Sequence, residues 1–205
     1  MARKKQSRPS SAKPSKTGAG RNELRIIAGE WRGRKLPFPD GQGLRPTGDR
    51  LRETLFNWLS FSIHGAQVLD LFTGSGALGL EALSRGAKGA TFLDTHSGVV
   101  RQMRDNLKTL NCQSAEVVQM DALQWLRQGS DQCFDLVFLD PPFGQDLLLP
   151  ACQQLEQRDW LTESAWIYME AEKSLALDQV PANWHLHREK KIGQVICRLY
   201  QRQLG

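Results

Sequence analysis

From Gln67 onward, short runs of Val, Leu, Ile and Phe recur at regular intervals, separated by amphipathic stretches. The runs predict strands near 67–72, 89–94, 115–119, 134–139 and 165–170, with helical stretches such as Ser75–Arg85 and Ser97–Leu110 between them. Alternation of this kind dictates a mostly parallel, doubly wound α/β sheet, because parallel neighbours need a crossover and a helix supplies it. An open sheet of that kind binds ligands at the carboxyl ends of its strands. The chain ends differently. "WHLHREKK", then Ile192 and Gly193, then "QVICRLYQRQ" reads as a hairpin that adds an antiparallel strand. At 205 residues, one α/β domain with an appendage fits the length.

The stretch before Gln67 has another character. Residues 1–20 are rich in Lys, Arg, Ser, Pro and Gly and nearly devoid of apolar side chains, which predicts disorder in the free chain. "LRIIAGEWRGRKLPFP" reads as strand, turn and strand, bounded by Gly29, Gly33 and Pro37. "LRPTGDRLRETLFNWLSF" opens a helix with Thr47 or Asp49 as N-cap and Leu51, Leu55, Phe56 and Leu59 on one face. The net charge of +5 is uneven: residues 1–35 hold eleven Lys or Arg against Glu23 and Glu30, or +9, so the rest carries −4. A basic arm on a mildly acidic body suits a polyanion, usually nucleic acid, although a solubilising tail has the same composition.

Other partner classes find no support. No apolar run is long enough to span a bilayer and no signal peptide is evident, so a soluble, cytoplasmic protein without membrane contact is expected. Cys112, Cys133, Cys152 and Cys197 form no C-x-x-C pair, which predicts reduced, packed thiols instead of a zinc site or disulfides. His185 and His187 alternate on one strand face without an evident third ligand, so no metal is expected. Met103, Trp125, Trp160, Trp166 and Trp184 read as packing residues.

Two stretches carry chemistry. "LDLFTGSGALGLEAL", residues 69–83, has G-x-G-x-x-G at Gly74, Gly76 and Gly79, the spacing of a dinucleotide loop. Asp70 precedes that turn, and no Lys or Arg lies between Asp70 and Glu81. A pyrophosphate there would meet a carboxylate of like sign, whereas a cationic cofactor without phosphate, such as S-adenosylmethionine, would be attracted. Asp94 ends the second strand, where a carboxylate accepts from ribose hydroxyls in either cofactor class or caps the next helix. The discriminating stretch is "FDLVFLDPPFG", residues 134–144. Pro141 and Pro142 stiffen the backbone and remove two amide donors, while Asp140 and a free carbonyl can hold both hydrogens of an exocyclic amine. Phe143 can stack on the ring that bears the amine.

With these stretches together, the chain resembles the class I S-adenosylmethionine-dependent methyltransferases acting on amino groups, whose signatures are D-x-F-x-G-x-G and [DN]-P-P-[YFW]. "RIIAGEWRGRKLP", "LRPTGDRLRETLFNWL", "DLFTGSGALGLEALSRGA", "VFLDPPF" and "HREKKIGQVICRLYQR" are similar, in order, to the RsmD family of bacterial guanine-N2 methyltransferases of small-subunit ribosomal RNA. The resemblance implies a Rossmann-like fold with a seven-stranded sheet, one strand antiparallel, and an N-terminal hairpin facing RNA. The expected division is a disordered basic tail over 1–22, which is not part of the family's motif set, then the RNA-facing hairpin over 23–44 and the methyltransferase domain over 45–205. Asp70, Phe72, Gly74, Gly76, Asp94, Asp121 and Ala122 would bind S-adenosylmethionine, with Gly74 and Gly76 at its methionine part, Asp94 at the ribose and Asp121 at the adenine amino group. Asp140, Pro141, Pro142 and Phe143 would form the catalytic pocket. Where this chain has Asp94, Thr95 and His96, the family more often shows Glu, an apolar residue and Asp.

The expected partner is small-subunit ribosomal RNA, within an assembling or assembled subunit, and the expected state a monomer. Arg32, Arg34 and Lys35 offer a basic surface for it, with Trp31 either adding an aromatic face or packing in the hairpin core. Arg45 and Arg50 could contact RNA or the cofactor carboxylate. The rivals are a DNA amino-methyltransferase for adenine N6 or cytosine N4, an RNA-binding assembly factor without catalysis, and an NAD-dependent oxidoreductase.

Overall fold

The computed structural model describes residues 22–39, 48–129, 132–173, 175 and 179–204. The predicted tail therefore lies outside the described residues, as do Arg45 and Thr47. Two strands, β1 (Asn22–Arg25) and β2 (Lys35–Phe38), pair antiparallel as a small separate sheet. Helix α1 (Asp49–Trp58) follows, and then the alternating body: β3 (Gln67–Asp70), α2 (Ala77–Ser84), β4 (Gly89–Asp94), α3 (Ser97–Thr109), β5 (Ala115–Gln119), α4 (Ala122–Arg127), β6 (Phe134–Leu139), α5 (Leu148–Gln157) and β7 (Leu161–Glu172). The hairpin β8 (Trp184–Ile192) and β9 (Val195–Arg202) completes it.

The main sheet has seven strands in the order β5-β4-β3-β6-β7-β9-β8, and only β9 runs against the rest. The winding reverses between β3 and β6, so the carboxyl ends of these neighbours form the crevice where such sheets bind ligands. Both faces are covered. Leu55 and Phe56 of α1, with Leu59 at its C-cap, pack on one face with α2, α3 and the hairpin core of Leu24, Leu36 and Phe38. On the other face, Leu126, Leu155 and Trp160 pack among β6 and β7, with Trp125 stacked on Trp160 at 4.2 Å between ring centroids. Burial on both faces explains why the central strands read as continuous apolar runs.

The N-terminal hairpin is fastened to α2 by polar groups that are themselves buried. Glu81 is fully buried and accepts from the Ile27 and Ala28 amides at 2.8 and 3.0 Å, and from Arg85 Nε at 2.7 Å. Arg52 of α1, also fully buried, donates to the Arg25 carbonyl at 2.8 Å and stands 3.7 Å from Glu81. Ser84 accepts from the Trp31 amide at 3.0 Å and donates to the Ala28 carbonyl at 2.6 Å. Gly29, at φ +81°, lies so close to Ser84 that a Cβ would overlap its carbonyl; only glycine fits.

Several expectations are corrected. The N-cap of α1 is Gly48; Asp49 is the first helical residue and pairs with Arg52 at 2.7 Å instead of capping. Helices α4 and α5 fill the helical stretches expected between the later strands, and β7 begins at Leu161 instead of 165 because its first residues continue the pairing with β6. Trp31 packs in the core, 8% exposed, so it offers no aromatic face. Cys152 and Cys197 are buried, but Cys133 is exposed, as it precedes β6 in a surface connection. His187 packs edge-on against Trp166 at 4.9 Å. A β-bulge interrupts the β8–β9 register between Leu186 and Arg188. Among the described residues, no helix is long and apolar enough to cross a membrane.

Removing one partner of a buried ion pair leaves the other uncompensated, at a cost of about 3–5 kcal/mol. Glu81→Ala should therefore lower the free energy of unfolding by about that amount, read as a lower urea midpoint. A change below about 1 kcal/mol would show that the hairpin seat contributes little.

Candidate active site

Three strands end in carboxylates at the crevice. Asp70 closes β3, Asp94 closes β4, and Asp140 directly follows β6. Their strands are adjacent, with Asp70 in register with Phe92 on one side and Phe138 on the other. The chain between β3 and α2 folds tightly over these ends. Thr73 donates its amide to the Leu93 carbonyl at 2.8 Å and its hydroxyl to the Asp70 carbonyl at 3.2 Å. Gly74 and Gly76 both carry positive φ, which lets the turn close.

Each carboxylate has its own task. Asp70 is buried, and its Oδ2 accepts from the Gly79 amide at 3.0 Å. That contact needs glycine: a Cβ at Gly79 would overlap the Phe92 ring. Burial pushes the Asp70 carboxyl up to about 7, against the Gly79 hydrogen bond, with Asp94 adding to the rise. Asp94 is half-buried and already oriented, its Oδ2 accepting from the Gly74 amide at 3.0 Å and its Oδ1 from the His96 amide at 2.8 Å. Asp121 caps α4, its Oδ1 accepting from the Gln124 amide at 2.9 Å, and the Met120 amide donates to the Asp94 carbonyl at 3.2 Å. Phe72 is half-buried at the same rim, and Ala122 is buried at the start of α4.

The Asp140 corner is the most strained electrostatically. Desolvation raises its carboxyl well above the usual range, and Glu170 and Asp70 push the same way. Pro141 is buried, Pro142 is exposed, and Phe143 is 49% exposed, beside Glu172, Lys173 and Gln194. Glu170 is a site residue that sequence reasoning missed. It lies on β7, buried, one residue after Met169, which pairs with Leu139, and it accepts from the Tyr168 hydroxyl at 2.9 Å. The signal was an acidic residue inside the apolar strand "WIYMEAE". Burial, with the charge of Glu170, holds Tyr168 well above its ordinary range as well.

The basic residues lie elsewhere. Arg32, Arg34, Lys35 and Arg50 are exposed; Arg34 donates to the Thr109 carbonyl at 3.0 Å and Lys35 pairs with Glu23 at 3.1 Å. Among the described residues, the buried and half-buried carboxylates of Asp70, Asp94 and Asp140 make no ion pair with Lys or Arg, an arrangement that suits a cationic ligand better than a pyrophosphate.

A family model described as "Conserved hypothetical protein 95" matches residues 24–201. The chain is 53% identical over 191 residues to the Ribosomal RNA small subunit methyltransferase D of Escherichia coli K12, covering 93% of this chain and 95% of that protein. The chain belongs to the RsmD family. The Haemophilus influenzae methyltransferase D of that family is 51% identical over 192 residues, covering 92% of this chain and 99% of the relative. Among solved structures, yhhF from Escherichia coli is 50% identical, with a TM-score of 0.83 over 90% of this chain and 100% of that one. A more distant likeness, to the T. thermophilus 16S rRNA N2 methyltransferase RsmC in complex with AdoMet and guanosine, has 20% identity and a TM-score of 0.68. It covers 89% of this chain and 50% of that one, and speaks for the fold alone.

The sign of the pH dependence follows from Asp70. Its folded value of about 7 lies above the ordinary 3.8, so the folded state holds the proton more tightly. Asp70 therefore lends stability at low pH that is lost as pH rises from 3.8 to about 7. Asp70→Asn, which keeps an oxygen for Gly79, should flatten the fall in unfolding free energy over that window. Parallel pH profiles for the two proteins would show that Asp70 is not the responsible group.

Proposed function

We propose that the chain transfers a methyl group from S-adenosylmethionine to the exocyclic N2 amine of a guanine in small-subunit ribosomal RNA. The observation that carries this reading is the acidic corner in which half-buried Asp140 stands with the buried Asp70 and Glu170, next to Pro141, Pro142 and Phe143 and beside the glycine turn. The names of the methyltransferase D relatives support the RNA substrate. A cofactor with a sulfonium and an ammonium fits the donor set, because each cation relieves the repulsion among these carboxylates. Asp94, oriented by Gly74 and His96, is placed for ribose hydroxyls. The Asp121 side chain is committed to capping α4 through Oδ1, which leaves Oδ2 for an adenine amino group.

S-adenosylmethionine supplies an electrophilic methyl group on sulfur. A guanine N2 lone pair is delocalised into its ring, so the protein's main task is alignment. Asp140 and the Pro141 carbonyl accept the two N–H bonds and turn the nitrogen toward the methyl, while Phe143 stacks on the base. As the N–C bond forms and the S–C bond breaks, the amine gives up one proton. Asp140, with its raised proton affinity, is suited to receive it. The target base must leave its stack to reach this corner, which favours a looped or opened stretch of RNA, within an assembling or assembled subunit in the cytoplasm.

Purified protein with methyl-labelled S-adenosylmethionine should place label in N2-methylguanosine when undermethylated small subunits or their RNA are supplied, and none in duplex DNA. Label in a DNA base, or binding of the cofactor without transfer, would reject the assignment. Asp140→Ala should lower turnover about 100-fold or more while S-adenosylmethionine affinity stays within a few-fold. Asp140→Asn keeps an acceptor oxygen, so near-wild-type turnover in that variant would leave Asp140 an orienting group and not a base.

A further inference from the structure

The outward face of α3 differs from an ordinary solvated helix face in the sign of its charge. Arg101, Arg104 and Lys108 are spaced i, i+3 and i+7, which places them along one side. All three are exposed and, with Ser97 and Gln119, line a shallow groove of about 270 Å³ between α3 and the sheet-edge strand β5. The acidic residue in that groove, Asp105, stands 3.9 Å from Lys108 in an exposed pair, too loose and too wet to neutralise the stripe. Arg104 is anchored by a 2.9 Å bond to the Val117 carbonyl, which holds its guanidinium at the β5 side of the groove. This stripe sits on a body whose residues after 35 carry −4 overall, so it is a local reversal of sign.

The stripe is continuous with the hairpin at one end and the site at the other. Arg34 donates to the Thr109 carbonyl at the last residue of α3, and Asn106 donates to the Pro37 carbonyl at 3.0 Å. The hairpin's cations are thereby fixed relative to those of α3. At its other end the helix begins at Ser97, three residues after Asp94, which holds the glycine turn. We infer that Arg101, Arg104 and Lys108, together with Arg34, form a track for the RNA sugar-phosphate backbone that leads from the hairpin to the rim of the active site. Long cationic side chains around a groove, without a pocket for a base, suit backbone contact and not sequence readout. The inference rests on the RNA reading above and adds to it a second contact surface.

The test compares the full-length protein with Arg101→Ala/Lys108→Ala, using undermethylated small ribosomal subunits as the probe across a salt series. Loss of two phosphate contacts should weaken binding about tenfold at moderate salt and make the slope of log affinity against log salt shallower by about 0.7 per charge removed. S-adenosylmethionine affinity and the unfolding midpoint should stay unchanged, which separates a lost contact from a damaged fold. Arg101→Lys/Lys108→Arg, which preserves the charge, should restore affinity and slope. Wild-type affinity and slope in the alanine variant would overturn the track while leaving the RNA reading intact. Wild-type protein that neither binds nor labels the subunits would defeat the RNA reading, and the track with it.

Discussion

Glu81 is buried without exposure, and yet it holds groups from three parts of the chain: the Ile27 and Ala28 amides, Arg85 of its own helix region, and the Arg52 guanidinium of α1. A lone carboxylate in that position would be expensive; surrounded by donors and a cation it becomes a joint. The same helix, α2, presents its N-terminal turn to the active site, where the Gly79 amide meets Asp70. One helix of eight residues thus ties the appended hairpin to the chemistry. The alignment of hairpin, α1 and glycine turn depends on the Glu81 joint remaining closed.

At the other end of α2 the electrostatics run in the opposite sense. Asp70 and Asp140 are gathered with desolvation opposing their ionisation, and the charges of Asp94 and Glu170 push the same way. Folding accepts that cost because the apolar packing beneath, with Leu69, Val137, Ile167 and Met169 essentially unexposed, is large enough to carry it. A site kept at high electrostatic energy is receptive to a cation, and stability lost in the free protein is recovered on binding.

Much of this was legible in the sequence, for physical reasons. Central strands buried on both faces read as apolar runs, so the order of elements from Gln67 onward and the antiparallel last strand could be foreseen. Asp70, Asp94 and Asp140 were legible because each stands where an apolar run stops. What could not be read was whatever depends on contacts between distant segments. Trp31 faces the core because Ser84, far along the chain, takes its amide. Arg52 and Glu81 look like ordinary charges of amphipathic helices, and only tertiary packing buries them. Glu170 was hidden because β7 carries two other glutamates, Glu163 and Glu172, and nothing in the sequence tells which of the three is buried, and the bounds of α4 were hidden by its being only six residues long.

The two ends of the sheet carry a further consequence. Among the described residues, strands β5 and β8 are the two edges of the main sheet, and an edge strand is a standing invitation to another molecule's strand. β8 is the longer edge, nine residues, and it exposes Leu186 and Ile192. Its bulge at Leu186–Arg188 breaks the regular spacing that a foreign strand would have to match, and Arg188, Glu189, Lys190 and Lys191 place charges of both signs between the apolar residues, with Lys191 3.6 Å from Glu189. A second copy approaching edge to edge would meet mismatched hydrogen bonds and charged side chains that pairing would have to desolvate, both of which disfavour edge-to-edge contact at β8.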